Sequence, residues 1–490
     1  MPVHDFALGL GRSLLSVALL ATLYLYLYPL LHGCAFPAPP HSRPAPLRLL
    51  ALGDPQIEGD TSLPDSKDEP FSSLRDFRSH VDELGLLLAA RQAGTALVND
   101  DIPRLFKGYR KRLDLFGNDY YLAHIYRTLH WWTQPTHVAV LGDLLGSQWI
   151  NDEEFEWRSW RFWNRVFQHG HRVEDTMTAA PLAQELGADP LWARRIINVA
   201  GNHDIGYAGD VDENRIARFE RNFGPVNWQT VFRLPNTTSS ESDANAPELR
   251  VVVLNSMNLD APAKDGNLQK ETYDFINDVI SRSSPVESRD HFTLLLTHIP
   301  LHKREGVCVD GPFFSYFDNG GGVKEQNHLS EDASRGVLEG LFGLSGNEFA
   351  PARGMGRNGM IVTGHDHAGC DVYHHHHRGG QWDAVRWESI GNRTADADLP
   401  GIREVTLRSM MGEYGGYAGL ISIWFDQGRG EWQYEVEMCS LGVQHIWWGV
   451  HVLDIVTASL FALGIALRKL AKMKKNVPVE QSPTKQSKRD

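Results

Sequence analysis

Met360-Ile361-Val362-Thr363-Gly364-His365-Asp366-His367 is the stretch on which the reading of this 490-residue chain turns. A short apolar run rich in β-branched residues is the pattern of a strand buried on both faces. A glycine follows at once, and then two imidazoles flank a carboxylate. The same order recurs along the chain. Leu47 to Leu52 precedes Gly53-Asp54-Pro55-Gln56, and Thr136 to Leu141 precedes Gly142-Asp143. Ile196 to Ala200 precedes Gly201-Asn202-His203-Asp204, and His291 to Leu296 precedes Thr297-His298. Arg250 to Leu254 is a similar run, before Asn255-Ser256, that brings no obvious ligand.

Taken singly, a Gly-Asp after a strand says little, and a lone histidine is more often structural than a ligand. The ordered set of blocks, each directly after a strand, is what is specific. Strands separated by helical stretches predict an α/β layered fold with its loops gathered at one sheet edge. Ligands in such folds collect outside the carboxyl ends of the strands. All the metal-binding residue types therefore fall on one rim. Ala418 to Phe425 and Trp432 to Met438 alternate as strands that extend the sheets. Asn151 to Gln168 carries aromatics at helical spacing and reads as a packed amphipathic helix. Glu241 to Glu248 and Asn319 to Gly322 read as exposed loops, and His374 to His377 as a polar loop with no catalytic part. No internal repeat is present.

Two segments suit a bilayer. Leu14 to Leu31 is an uncharged run, and Trp447 to Leu467 starts on paired tryptophans and ends at Arg468 and Lys469. If both span, the two termini are cytosolic and everything between them is lumenal. The expected order is then a cytosolic N-terminus (1–13), a spanning helix or signal anchor (14–31) and a Pro-rich stalk (32–46). A lumenal catalytic domain (47–440), a second spanning helix (447–467) and a basic cytosolic tail (468–490) complete it. A cleaved signal peptide ending near Gly33-Cys34-Ala35 is the alternative for the first segment and leaves the middle lumenal. Two sequons, at Asn236 and Asn392, lie in that middle part. Asp454 inside the second segment is costly in lipid and implies a helix–helix contact.

Composition bounds the function. Hydrophobic residues at 42% and charged residues at 22% describe a folded globular chain. A formal charge of −13 argues against a nucleic-acid partner, because phosphate backbones select basic faces. The four cysteines Cys34, Cys308, Cys370 and Cys439 are too scattered for a thiolate zinc site. One or two disulfides, with Cys308–Cys370 as the first pairing, or unpaired small hydrophobes both remain open.

The five blocks, D-x-Q, G-D, G-N-H-D, T-H and G-H-D-H, resemble those of the calcineurin-like metallophosphoesterases, whose pattern runs D-x-H, G-D, G-N-H-[DE], H and G-H-x-H. The resemblance implies a layered β-sandwich flanked by helices, here with a transmembrane helix at either end. It implies that Asp54, Gln56, Asp143 and His367 hold one metal and that Asp143, Asn202, His298 and His365 hold the other. A shared carboxylate offsets the repulsion of two cations about 4 Å apart, which together activate water and neutralise phosphoryl charge. His203 would serve the departing oxygen as an acid, with Asp204 orienting its ring.

Departures from the pattern narrow the branch. Gln56 stands where histidine is usual, and its harder amide oxygen favours Mn2+ or Mg2+ over zinc. Gly146 replaces the tyrosine of purple acid phosphatases, and the D-R-G of protein phosphatases is absent. Gly53-Asp54-Pro55-Gln56, Cys370 shortly after the last block, and the flanking spans resemble the fungal branch of the GPI-anchor remodelling phosphodiesterases. That resemblance implies removal of ethanolamine phosphate from a mannose of the GPI glycan, with two Mn2+, in the endoplasmic reticulum or Golgi. It makes a GPI-anchored protein or glycolipid the substrate. Ser409 to Gly419 lines a substrate groove or is a tight turn. A phosphomonoesterase or lipid phosphatase of the same fold, and an inactive membrane scaffold, are the other readings. The tail has Lys488 but lacks the second lysine of a dilysine retrieval signal.

Overall fold

Alternation inside the apolar runs builds two sheets face to face. In the computed structural model, which describes residues 2–40, 44–60, 63, 71–180, 183–235, 246–376, 382–390, 400–411 and 415–475, every run read from the sequence forms a strand. The first sheet has the order Glu431–Ser440, Tyr417–Asp426, Leu47–Leu52, His137–Val140, Arg195–Asn198, His171–Arg172. The second runs Trp382–Arg386, Cys370–His376, Gly401–Thr406, Asn358–Thr363, His291–Leu296, Glu248–Val253, Trp228–Arg233, Ala183–Glu185. Leu49 and Ala51 of one sheet share a core with Leu294, Leu296, Met360 and Val362 of the other. Leu50 and Leu52 point to the opposite face and are also buried, which is why the run is continuously apolar. Each such side chain contributes roughly 1.5–3 kcal/mol by leaving water.

Parallel pairing fixes where the loops go. Leu47–Leu52 is parallel to His137–Val140, and that strand is parallel to Arg195–Asn198. In the second sheet Glu248–Val253, His291–Leu296, Asn358–Thr363 and Gly401–Thr406 are likewise parallel neighbours. The carboxyl ends of each group therefore lie on one edge. The expected layered β-sandwich with flanking helices is present.

Asn151 caps the helix Asp152–Arg161 by accepting from the Glu154 amide, and Phe155, Phe162 and Phe167 pack its inner side. Asn319 to Gly322 leads out of a turn at Asp318–Gly320, as expected of a loop. The polar loop expected at His374 to His377 is a correction: His374, His375 and His376 lie on the strand Cys370–His376. Paired strands satisfy their backbone, and His374 is buried, hydrogen-bonded to Glu404. Cys308 is bonded to Cys370, and Cys34 to Cys439. Asn236, residues 241–245, His377, Asn392, residues 412–414 and the tail beyond 475 lie outside the described residues, so both sequons do.

The chain divides into two units, Pro29–Gly442 and Met1–Tyr28 with Val443–Asp490. The second contains the helix Val3–Leu31 up to Tyr28 and the helix Gln444–Lys475, both helices long and apolar enough to cross a membrane. There the Thr22 hydroxyl donates to Asp454, 2.9 and 3.2 Å from its two oxygens. The acidic residue thus makes the interhelical contact expected of it. Small Gly464 lies against Leu8, where an added Cβ would come within 2.6 Å.

Candidate metal centre

Three loops leave the parallel edge under strain. Asp54, Gln56, Asp143 and His365 all have positive φ, at 37°, 38°, 48° and 71°. Non-glycine residues in this region cost of order 1–3 kcal/mol each and concentrate where a site demands it. Gly142 is needed beside them, because φ is +95° and an added Cβ would meet the His298 ring at 2.2 Å. Gly142→Ala is therefore expected to displace His298 and cut catalytic turnover about a hundred-fold, the cost of an ångström of misplacement at a reacting centre. Steady-state kinetics beside an unchanged circular-dichroism spectrum checks this; an undiminished rate would mean that His298 has no part in the site.

The expected ligands converge. Candidate ligand atoms of Asp143, His298 and His365 lie within 4.8 Å of one another. His298 Nε2 is 3.3 Å from Asp143 Oδ1 and 3.1 Å from Asn202 Oδ1. Gln56 Nε2 is 3.1 Å from Asp143 Oδ2 and 3.0 Å from His367 Nε2, and His367 Nε2 is 3.9 Å from Asp54 Oδ2. Asp54 and Asp143 are buried, while the edges of His203 and His367 reach the surface.

These residues fit two cations. His298 Nδ1–H donates to the Leu141 carbonyl at 2.6 Å, and His365 Nε2–H donates to the Gln326 carbonyl at 2.8 Å. A carbonyl only accepts, so each bond fixes the tautomer and leaves the other ring nitrogen for a metal. Burial followed by the charge of His298 pushes His365 down to about 3, and burial lowers His367. Both are neutral at physiological pH, as ligation requires. His298 is opposite: burial alone would lower it, but Asp143 and Asp54 lift it to about 9. Its proton holds the place that a cation would take between acceptors. Burial drives the Asp54 carboxyl well above its usual range, with His298 opposing and Asp143 adding to the rise. Asp54 Oδ1 is buried without a hydrogen-bond partner, an acceptor that calls for a cation. The Gln56 amide presents nitrogen to Asp143 and His367; half a turn about its last bond presents oxygen.

One expected role changes. The Asp204 carboxylate does not touch the His203 ring. It accepts from the amides of Gly201 at 2.9 Å, Leu144 at 3.1 Å and Leu145 at 3.0 Å. The bonds from Leu144 and Leu145 tie the Asp143 loop to the Asn202 loop, and the bond from Gly201 closes the Asn202 loop on itself, so Asp204 positions both loops. Burial and then Asp143 push this carboxyl up to about 7. The His203 ring instead faces Asp143, with Nε2 at 3.7 Å from Oδ2. Its backbone N–H also donates to Asp143 Oδ1, at 2.8 Å.

The centre opens into a pocket of about 390 Å³ whose wall includes Trp149, Asp310, Lys324 and Glu325. None of these was legible in sequence: Trp149 and Asp310 sit on loops without a motif, and Lys324 and Glu325 on the short strand Val323–Gln326. Ser409, expected near a groove, supports the first ligand loop from beneath: its hydroxyl donates to the Asp54 carbonyl at 2.8 Å.

Parallel strands of two packed sheets deliver carboxylate, amide and imidazole groups to one rim, and that combination defines a metal-dependent phosphoesterase. No family model matches the chain. Protein TED1 of Saccharomyces cerevisiae is 32% identical over 398 residues, which cover 71% of this chain and 77% of TED1. An uncharacterized protein of Schizosaccharomyces pombe is 29% identical over 65% of this chain and 64% of its own length. Metallophosphoesterase 1 of Cricetulus griseus is 24% identical over 54% of this chain and 57% of its own length. The chain belongs to the metallophosphoesterase family, in the fungal-type branch that includes TED1. Relatives of this class imply divalent metal ions and phosphoester hydrolysis.

Proposed function

We propose that the chain is a membrane-held phosphodiesterase that removes ethanolamine phosphate from a mannose of the GPI glycan in the endoplasmic reticulum or Golgi lumen. The convergence of four rim loops on Asp143, in a relative of TED1, is the observation that carries this reading. Asp54, Gln56, Asp143 and His367 would hold one Mn2+, and Asp143, Asn202, His298 and His365 the other. Bound there, the cations would supply an activated water and neutralise charge on the phosphoryl oxygens. Among this chain's own groups, Asp204 holds two ligand loops in register, and the Leu141 and Gln326 carbonyls aim the two imidazoles. The partly exposed His203, on the pocket wall, would protonate the sugar oxygen as it leaves. Two disulfides agree with an oxidising lumen. Two apolar helices agree with a substrate that lies on a membrane.

His203→Ala is expected to lower turnover about 10²–10⁴-fold, the worth of one general acid. Cells carrying it should accumulate GPI glycans that keep the ethanolamine-phosphate branch, read by mass spectrometry. Unaltered glycans would end the substrate assignment. Purified full-length protein that hydrolyses a phosphomonoester faster than a mannose-linked ethanolamine phosphate would end the phosphodiesterase assignment.

A further inference from the structure

The helix Ile102–Thr133 turns its two halves in opposite directions. Its C-terminal half buries Leu122, Ile125, Tyr126 and Leu129. Its N-terminal half does the reverse: Ile102, Phe106, Tyr109, Leu113, Phe116 and Tyr120 are between 38% and 73% exposed. At 3.6 residues per turn these six fall within an arc of about 80°. They form a continuous apolar stripe on the outside of the protein. Leu86, Leu87 and Leu88, on the preceding helix Leu86–Ala96, are exposed as well, Leu87 at 87%.

Exposing so many large apolar side chains forfeits roughly 1.5–3 kcal/mol apiece relative to burial, so something other than water covers them. The flanks of the stripe say what. Lys107 and Arg110 lie on one flank and Arg112 on the other, all exposed, and the one carboxylate on these flanks, Asp114 between Arg110 and Lys107, is offset by Lys111 at 3.5 Å. Lys107 and Arg110 make no ion pair among the described residues, and the Arg112 guanidinium lies over the Tyr109 ring. An apolar stripe edged by cations on both sides matches an anionic lipid surface, where the rings enter the acyl boundary and the cations meet headgroups. The segment is too charged to cross the bilayer and does not qualify as a span. Connectivity makes a bilayer available: the catalytic strands begin at Leu47, sixteen residues after the first apolar helix ends at Leu31. They end at Ser440, four residues before the second starts at Gln444.

We propose that residues 102–120 are a membrane-surface helix, a third attachment that lies in the interface of an anionic bilayer. This rests on the two apolar helices being spans and is independent of the reaction catalysed. Because all four native cysteines are in disulfides, an introduced cysteine is the sole free thiol. Full-length protein would be reconstituted into phosphatidylcholine–phosphatidylserine vesicles with brominated acyl chains. A polarity-sensitive dye would be placed on Phe106→Cys, Tyr109→Cys or Leu113→Cys, and on Lys270→Cys as an exposed control. Dyes on the stripe are expected to shift to the blue and to be quenched about twofold or more by bromine, with none of this at 270. Adding Phe106→Asp and Phe116→Asp should abolish quenching at 109 without affecting folding, since both positions are exposed. Stripe dyes that report water overturn the proposal, as do dyes that shift to the blue without quenching, because protein then covers the stripe.

Discussion

Asp143→Ala is expected to reduce phosphoester turnover at least a thousand-fold, about 4 kcal/mol of barrier. Three other rim loops meet at its side chain. Its carboxylate receives the His203 backbone N–H and the Gln56 amide, and it lies 3.3 Å from His298 Nε2. It is also the residue expected to belong to both metal positions. Removing it should release both cations together, read as two equivalents of metal falling to none by elemental analysis after gentle purification. Asp143→Asn separates charge from shape. It keeps the volume and the amide acceptor, so the fold should persist, while the anion that lifts His298 is gone. If either variant kept its metal content and its rate, the assignment of Asp143 would fail. An inactive scaffold predicts a third result, full biological rescue by Asp143→Ala.

The second large effect is on stability. Glu404→Ala is expected to cost about 3–5 kcal/mol, because it leaves the fully buried Lys303 ammonium without its partner. Lys303 Nζ is 3.0 Å from Glu404 Oε1, and its other bond is to the Leu301 carbonyl at 2.9 Å. Glu404 also accepts from the Leu301 amide and from His374. A urea midpoint that falls with the slope unchanged would measure it. The paired Lys303→Met, Glu404→Leu variant should recover much of the loss, since two apolar groups leave no charge stranded. A single variant as stable as the parent would show that the pair is not buried.

The same pair gives a pH dependence. Burial alone would raise the Glu404 carboxyl, but Lys303 and His374 outweigh it and hold it down to about 2. The folded value lies below the unfolded one, near 4.3. Its contribution is therefore complete above about pH 4.3 and is lost as the pH falls toward 2. Loss of stability across that window should be smaller in the Leu variant.

How much of this was legible before the fold was known depends on whether the signal is local. The strands were legible because burial on both faces leaves a mark on consecutive residues, as in Leu47–Leu52 and His291–Leu296. Ligand types were legible because each directly follows its strand. The role of Asp204 was not. Its partners at Leu144 and Leu145 lie about sixty residues away, and nothing in Gly-Asn-His-Asp states that its carboxylate binds amides rather than the neighbouring ring. The Cys34–Cys439 bond, across 405 residues, was equally hidden. A run of histidines looked like a polar loop because polarity in sequence resembles exposure. Only pairing with Gly401–Thr406 shows that His374 faces a buried glutamate.

By itself, then, the sequence determined two packed layers, five strand-end blocks, two apolar helices and the chemical types needed for two cations. Those properties are carried by neighbours along the chain. Tertiary structure alone decided which imidazole nitrogen is free, which carboxylate ties loops together and which apolar stripe is left outside. Period sets the arc of Phe106, Tyr109 and Leu113 on their helix, but whether that arc meets the core or the solvent depends on what packs against the opposite side.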